Sequence, residues 1–498
     1  MDVKDAIKNI ILKPRSFLFE NLGVGQTIFK NTFWLASAEG ITRFLKLVLI
    51  IYVARILGAG EYGKFAFALS FAGVFAIFSD FGISTVLVRE FAREKEKEKE
   101  FSSILSLKTI LSLATLLLIY IGSLFITSDF LIRKVIWILG IYVIANSFLS
   151  IVYAFFQARQ KMEYQAWGKI LQAIVVAAGG FFVLFNFPSV QNLSLTYLFA
   201  SLITLIFALS FFHLKIYKLK LGFNKVIWKD FLSMSWPLAL AGVFATIYSQ
   251  TDSVMMGYWG QITQTGWYNA AYKIVRVVLI PGVLITTGFF PALSVAFKES
   301  KEKLQKIWNY FMESMIFLGV PIVVGGIALA PRVIDWVYDP SYSPSIFAFQ
   351  ILIIMAGISF LCYPFSQALV VSNQQKRLFW ITFFGAIVNV ILNLILIPKY
   401  SLYGAAFTTV VTYLLVLFLL FEFTSRITPI KPINLRFLSN FIGSIVSSMP
   451  MYFVITQPQI YHLNVILSVL IGAGIYIVCF LLYKKVISKI CLLGLEEY

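Results

Sequence analysis

The stretch NTFWLASAEGITRFLKLVLIIYVARIL, Asn31–Leu57, is long and apolar enough to cross a bilayer, yet it carries Glu39, Arg43 and Lys46. Their i, i+4, i+7 spacing puts all three on one face of a helix. An ionisable side chain near a helix centre costs about 2.5–3.5 kcal/mol on insertion scales, so such a face belongs in a bundle or a wet cavity, not against lipid. At about 1.5 Å per residue, Arg43 lies roughly 18 Å along from Asn31, close to mid-bilayer. The stretch reads as one wall of a cationic chamber, and the rest of the chain reads as its enclosure.

With 59% hydrophobic and 13% charged residues over 498 positions, the composition excludes a soluble protein. The fold class expected is an all-α polytopic membrane protein. Hydropathy and breakers give fourteen spans, at 31–57, 63–88, 104–126, 134–156, 166–187, 193–214, 231–257, 266–297, 309–330, 346–371, 379–397, 401–424, 437–456 and 463–483. Every connection is short. Taking the N-terminus and every second connection as one side, that side holds thirty Lys and Arg and the other holds five. The asymmetry places both termini in the cytoplasm of a plasma (inner) membrane protein. Most of the +18 charge is therefore topology, which removes nucleic acid as a partner. The run REFAREKEKEKE at 89–100 reads as a solvated helical extension.

Residues 1–25 lack the apolar core and cleavage site of a signal peptide. Within them Val3, Ile7, Ile10 and Ile11 share a face opposite Lys4 and Lys8, as in a short interfacial helix. Cys362, Cys479, Cys491, His213 and His462 have neither metal-ligand nor disulfide spacing.

The chain also repeats itself. LGAGEYGKFAFA (57–68) and WGQITQTGWYNAAY (259–272) are each a Gly turn, an aromatic, then Ala-rich helix. Gln160-Lys161 and Gln375-Lys376 recur in equivalent connections, and FNFP (185–188) and LIP (396–398) close the following spans. The offset fits two pseudo-symmetric six-helix lobes, an architecture of transporters with a central site. The expected organisation is a cytoplasmic segment at 1–30, an N-lobe at 31–214, a basic linker at 215–230, a C-lobe at 231–424, and a C-terminal helix pair with its tail at 425–498.

Span 8 mirrors span 1, with Asn269, Lys273 and Arg276 at i, i+4, i+7 and Tyr272 beside them. Arg43, Lys46, Lys273 and Arg276 at similar depth would line a positive cavity for a polyanion such as a pyrophosphate. The competing reading makes Glu39–Arg43 a structural i,i+4 pair, with the others snorkelling or paired elsewhere. A second group carries acceptor oxygens: Asp252 in span 7, Asn389 and Asn393 in span 11, and Thr408, Thr409 and Thr412 in span 12. One carboxylate with amide and hydroxyl oxygens could hold Na⁺ or, at the carboxylate, H⁺; interhelical hydrogen bonding is the alternative. Asp80, in SDFGIS, reads as a structural or gating carboxylate. The chain has no P-loop and no acidic pair to hold a catalytic metal, so no cofactor and no enzyme activity are expected.

The segments ARILGAGEYGKFAFALSF (54–71), DFGISTVLVRE (80–90), SWPLALAGVFATIYSQTDSVMMGYW (235–259) and YSLYGAAFTTVVTYLL (400–415) resemble the polysaccharide transporter, or Wzx-type flippase, family. That family lies within the multidrug/oligosaccharidyl-lipid/polysaccharide exporter superfamily. The resemblance implies two lobes alternately open to either side and a polyprenyl-pyrophosphate-linked oligosaccharide moved between leaflets. It also implies polysaccharide polymerase or assembly proteins as further partners. Sister lipid II flippases, an alternative, share the fourteen helices and arginines on spans 1 and 8, which Arg43 and Arg276 match. Their sodium site draws on spans 7, 11 and 12; Asp252, Asn389, Asn393 and Thr409 fall on comparable places, with Asn393 where an acid is expected. A drug exporter of the same superfamily would have an acidic N-lobe cavity, which Arg43 and Lys46 oppose. A polymerase or ligase would need an outer loop larger than 331–345.

Overall fold

The computed structural model of the chain describes residues 14–218, 222–461 and 463–494, so the expected interfacial helix around Val3–Ile11 and His462 lie outside the described residues. The described residues are helical throughout, with no strand among them. The helices are α1 (Pro14–Phe19), α2 (Val24–Asp80), α3 (Ile83–Arg93), α4 (Phe101–Ile126), α5 (Phe130–Ala158), α6 (Met162–Asn186), α7 (Val190–Lys215) and α8 (Lys225–Tyr258). They continue with α9 (Ile262–Val278), α10 (Ile280–Glu299), α11 (Lys301–Val337), α12 (Pro344–Val371), α13 (Gln375–Ile427), α14 (Leu435–Ile455), α15 (Pro458–Tyr461) and α16 (Val465–Gly494). Helix alone satisfies every backbone group within its own segment, which is what hydrocarbon demands.

Eleven helices among the described residues are long and apolar enough to cross a bilayer, twelve if the two parts of α8, bent by 59° between Phe244 and Ser249, count as one span. Two helices are broken within. The 57 residues of α2 would run about 85 Å if straight, against a hydrocarbon core of about 30 Å. Its break falls at Gly58 (φ 75°, ψ 170°), a backbone conformation open in practice to glycine alone. The 53-residue α13 breaks at Ser401 (φ 53°, ψ −131°), three residues after Pro398. Beyond that break, a β-carbon on Gly404 would lie 2.5 Å from the Leu396 carbonyl oxygen, so the two halves approach as closely as backbones can.

The chain divides into two compact units between Thr263 and Gln264. In the first, α2 packs against α4, α5, α6 and α8. The helix α8, which the sequence repeat assigns to the second lobe, packs within this unit. Its core includes Phe91, Phe101, Phe155 and Phe212, with the Phe155 and Phe212 rings 4.9 Å apart and perpendicular. Lipid is as apolar as these side chains, so close packing and internal polar contacts hold the helices together rather than exclusion of water. Two ion pairs serve that end. Lys30 of α2 and Glu163 of α6 meet at 3.0 Å with side chains 0% and 3% exposed. Lys30 also donates to Asn21 Oδ1 (2.6 Å) and to the Gln160 carbonyl (3.2 Å). Lys108 of α4, fully buried, pairs with Asp80 at the end of α2.

In the second unit, α12 packs on α11 and α13, and α14 and α16 pack on each other and on α11. Arg332, near the end of α11, donates to Ser468 Oγ (3.0 Å) and to the Leu463 carbonyl, with its guanidinium 4.8 Å from the Tyr461 ring centre. At the other end of the same packing, Glu313 of α11 pairs with Arg436 (2.8 Å) and with Lys484. Between these two polar clasps lies an apolar groove of about 320 Å³, lined by Phe317, Ile322 and Gly325 of α11, Met451 of α14, and Gly472 and Tyr476 of α16 among others.

Candidate functional site

The first unit assembles the charged face expected from Asn31–Leu57. Arg43 Nε donates to Glu39 Oε1 at 2.7 Å, one helical turn back. Neither side chain is buried: Arg43 is 56% exposed and Glu39 44%. The second carboxylate oxygen, Oε2, faces Lys169 Nζ of α6 at 3.4 Å. Lys46 is half-buried, one turn beyond Arg43 on α2. Arg43 and Lys169 thus share one carboxylate between α2 and α6, with Lys46 one turn further along α2. Lys169, near the start of the span at 166–187, has no part in the site as read from the sequence. Because α6 begins at Met162, Lys169 stands two turns inside a helix. Its tie to Glu39 spans 130 residues, which no local spacing reveals.

In the second unit, α9 carries Asn269, Lys273 and Arg276. Arg276 is exposed, its guanidinium 5.7 Å from the Tyr272 ring centre, a cation–π arrangement. Lys273 is half-buried. Asn269 is turned inward, 8% exposed, with Nδ2 donating to the Thr265 carbonyl at 2.9 Å.

The oxygen-rich group divides between the units. Asp252 lies on α8 of the first unit, 8% exposed. Asn389, Asn393, Thr408, Thr409 and Thr412 gather inside α13, across its break, all buried. Asn393 Nδ2 donates to Asn389 Oδ1 (3.1 Å), Asn389 Nδ2 to Thr412 Oγ1 (3.5 Å), and Thr412 Oγ1 to the Thr408 carbonyl (2.8 Å). Thr409 donates to the Ala405 carbonyl (2.9 Å), with the Tyr268 hydroxyl 3.4 Å away. Of these bonds, Asn389 to Thr412 joins the two halves of α13. The hydroxyl of Thr408 is buried with no hydrogen-bond partner among the described residues, which leaves one oxygen able to face a small cation.

Asp80 stands apart from both groups. Besides Lys108 it accepts from Ser84 (2.5 Å) and Ser150 (3.3 Å), so α2, α3, α4 and α5 all converge on it. Among the described residues no cluster of three His, Cys, Asp or Glu could hold a metal ion.

Comparison with known proteins bears on what such an arrangement serves. The polysaccharide biosynthesis protein family matches residues 28–297, more than half of the chain. The chain belongs to this family. Similar to it are the probable low-salt glycan biosynthesis flippase Agl15 of Haloferax volcanii, 22% identical over 74% of this chain and 77% of that protein, and the capsular polysaccharide biosynthesis protein CapF of Staphylococcus aureus, 22% identical over 80% and 99%. Among solved structures, the lipid II flippase MurJ in an inward closed conformation superposes with a TM-score of 0.76 over 92% of this chain and 99% of its own, at 17% identity. That likeness is one of fold. The membership places the chain in the exporter superfamily that its segments resemble.

Proposed function

We propose that this family member is a flippase for a polyprenyl-pyrophosphate-linked oligosaccharide, the repeat unit of a surface polysaccharide, moved from inner to outer leaflet by alternating access. The observation that carries the reading is the pair Arg43 and Lys169 on the two oxygens of Glu39, with Lys46 one turn further along the same helix. An arginine kept 56% exposed in the middle of an apolar helix has a use other than packing, since burial or snorkelling would cost less. Arg offers paired donors to phosphate oxygens and Lys a mobile point charge. The second unit supports the same reading with Arg276 and Lys273 on α9 and with an apolar groove suited to a lipid chain. The same charges oppose export of cationic drugs.

In this proposal the breaks at Gly58 and Ser401 divide α2 and α13 into two crossings each, for fourteen spans with both termini cytoplasmic. Coupling is to a cation, Na⁺ ahead of H⁺, with Asp252, Asn389, Asn393, Thr408 and Thr409 as its candidate ligands. The test is flipping in proteoliposomes of a fluorescent polyprenyl-pyrophosphate glycan, with lipid II as a second substrate. Protection of the glycan lipid from an external quencher, lost in an Arg43→Ala/Lys169→Ala variant, is the expected result. Transport of lipid II alone would move the substrate to the cell-wall precursor. Unchanged transport by the double variant would end the anion-binding reading.

A further inference from the structure

We infer that Glu39 is a resident stand-in for the substrate's phosphate: it occupies Arg43 and Lys169 in the empty site and is displaced when a pyrophosphate binds. The inference rests on the flippase reading and concerns the same site. Three observations carry it.

The first is that α2 and α6 are bridged twice, with opposite polarity. Lys30 of α2 meets Glu163 of α6 fully buried, while Glu39 of α2 meets Lys169 of α6 in the open. The buried bridge already holds the two helices together. A half-exposed pair adds little to stability, because water screens it and ordering two long side chains costs entropy. The second bridge is therefore free to open.

The second observation is how Glu39 is shared. Each of its oxygens faces a different cation, Oε1 to Arg43 at 2.7 Å and Oε2 to Lys169 at 3.4 Å. Two oxygens on one centre, each taken by a separate donor, is how a phosphate would be held. The longer contact lies at the limit of a hydrogen bond, so one arm is weak.

The third observation is charge. Arg43 and Lys169 contact the one carboxylate and Lys46 stands one turn further along α2, so the formal charges on this face sum to an excess of two, the charge of a pyrophosphate diester. Without Glu39, three cations on one face would repel one another when no substrate is bound and would hold an anion more tightly, slowing its release. A tethered carboxylate eases both problems, since it holds the cations before substrate arrives and recaptures them as substrate leaves.

The test uses the full chain in lipid nanodiscs, with geranylgeranyl pyrophosphate esterified to N-acetylglucosamine (a diester, as in the proposed substrate) as the probe, and the corresponding monophosphate-linked N-acetylglucosamine and inorganic pyrophosphate as comparison ligands. Glu39→Gln should bind the pyrophosphate lipid about fivefold more tightly, while Lys169→Ala should bind it about fivefold more weakly and Lys169→Arg should restore it. In flipping assays Glu39→Gln should lower KM and kcat together, because release slows as capture improves. Thermal unfolding of Glu39→Gln should match wild type. Weaker binding together with a lowered unfolding temperature in Glu39→Gln, or unchanged binding, would overturn the stand-in role while leaving the flippase reading intact. Failure of the wild type itself to bind the pyrophosphate lipid would overturn both. Equal affinity for the monophosphate would remove the pyrophosphate match.

Discussion

Arg43 and Lys30 sit on the same helix, thirteen positions apart, and their loss should fail in opposite ways. Arg43→Ala removes a half-exposed pair with Glu39, worth about 0.2–1 kcal/mol after screening, so folding should hardly notice. Lys30→Met strips a partner from Glu163, whose side chain is 3% exposed, and leaves a buried carboxylate uncompensated. Breaking such a pair costs about 3–5 kcal/mol, and two further hydrogen bonds, to Asn21 and Gln160, go with it. For ligand the order reverses. Arg43→Ala removes a charge-assisted contact worth about 1.5–3 kcal/mol, which is roughly 10- to 150-fold in affinity for a pyrophosphate lipid. Lys30→Met should leave affinity within about twofold in whatever fraction stays folded, since Lys30 is wholly enclosed. The assay pairs thermal unfolding, read by size-exclusion fluorescence, with pyrophosphate-lipid binding to the monodisperse peak. Equal destabilisation by both substitutions, or full affinity in Arg43→Ala, would refute the division of labour between buried bridge and open site.

Cysteine labelling at Lys97 and Lys301 should occur from the cytoplasmic side and at Gln264 and Ser343 from the opposite side; one reproducible inversion breaks the fourteen-span arrangement. Under imposed ion gradients, Asp252→Asn should abolish the response of flipping to Na⁺, and equal responses of variant and wild type to Na⁺ and H⁺ would place coupling elsewhere. Gly404→Ala puts a methyl group 2.5 Å from the Leu396 carbonyl oxygen, so it should cost about 1–3 kcal/mol, read as a lower unfolding temperature. An unchanged unfolding temperature would mean that the two halves of α13 can part at no expense.

The parts of this molecule legible in the sequence are those written at short range. Apolar length marked the helices, and LGAGEYG announced the break that the structure places at Gly58. The i, i+4, i+7 rhythm put Glu39, Arg43 and Lys46 on one face, and the same rhythm grouped Lys273 with Arg276. What the sequence concealed depends on partners far along the chain. Lys169 sits near an end of its span and passes for a topological charge until Glu39, 130 residues earlier, is seen beside it. Asp80 shows its isolation in SDFGIS but not Lys108, because a partner on another helix, α4, leaves no periodic trace. The Asn389–Asn393 turn was visible, whereas the bond from Asn389 to Thr412 follows only from how the helix folds back at Ser401.

The clasps at the two ends of α11 also impose an order on synthesis. Arg332 waits for Ser468, made 136 residues later, and Glu313 waits for Arg436, made 123 residues later. At about 5–20 residues per second, each delay is on the order of ten seconds. Throughout it, α11 is in the membrane with a charge at either end and no protein partner for either. Lipid headgroups or an insertion factor must shield those charges until α14 and α16 arrive. A chain that stops before residue 460 therefore lacks the Ile460 and Leu463 carbonyls, the Tyr461 ring and the Ser468 hydroxyl that Arg332 meets in the folded unit.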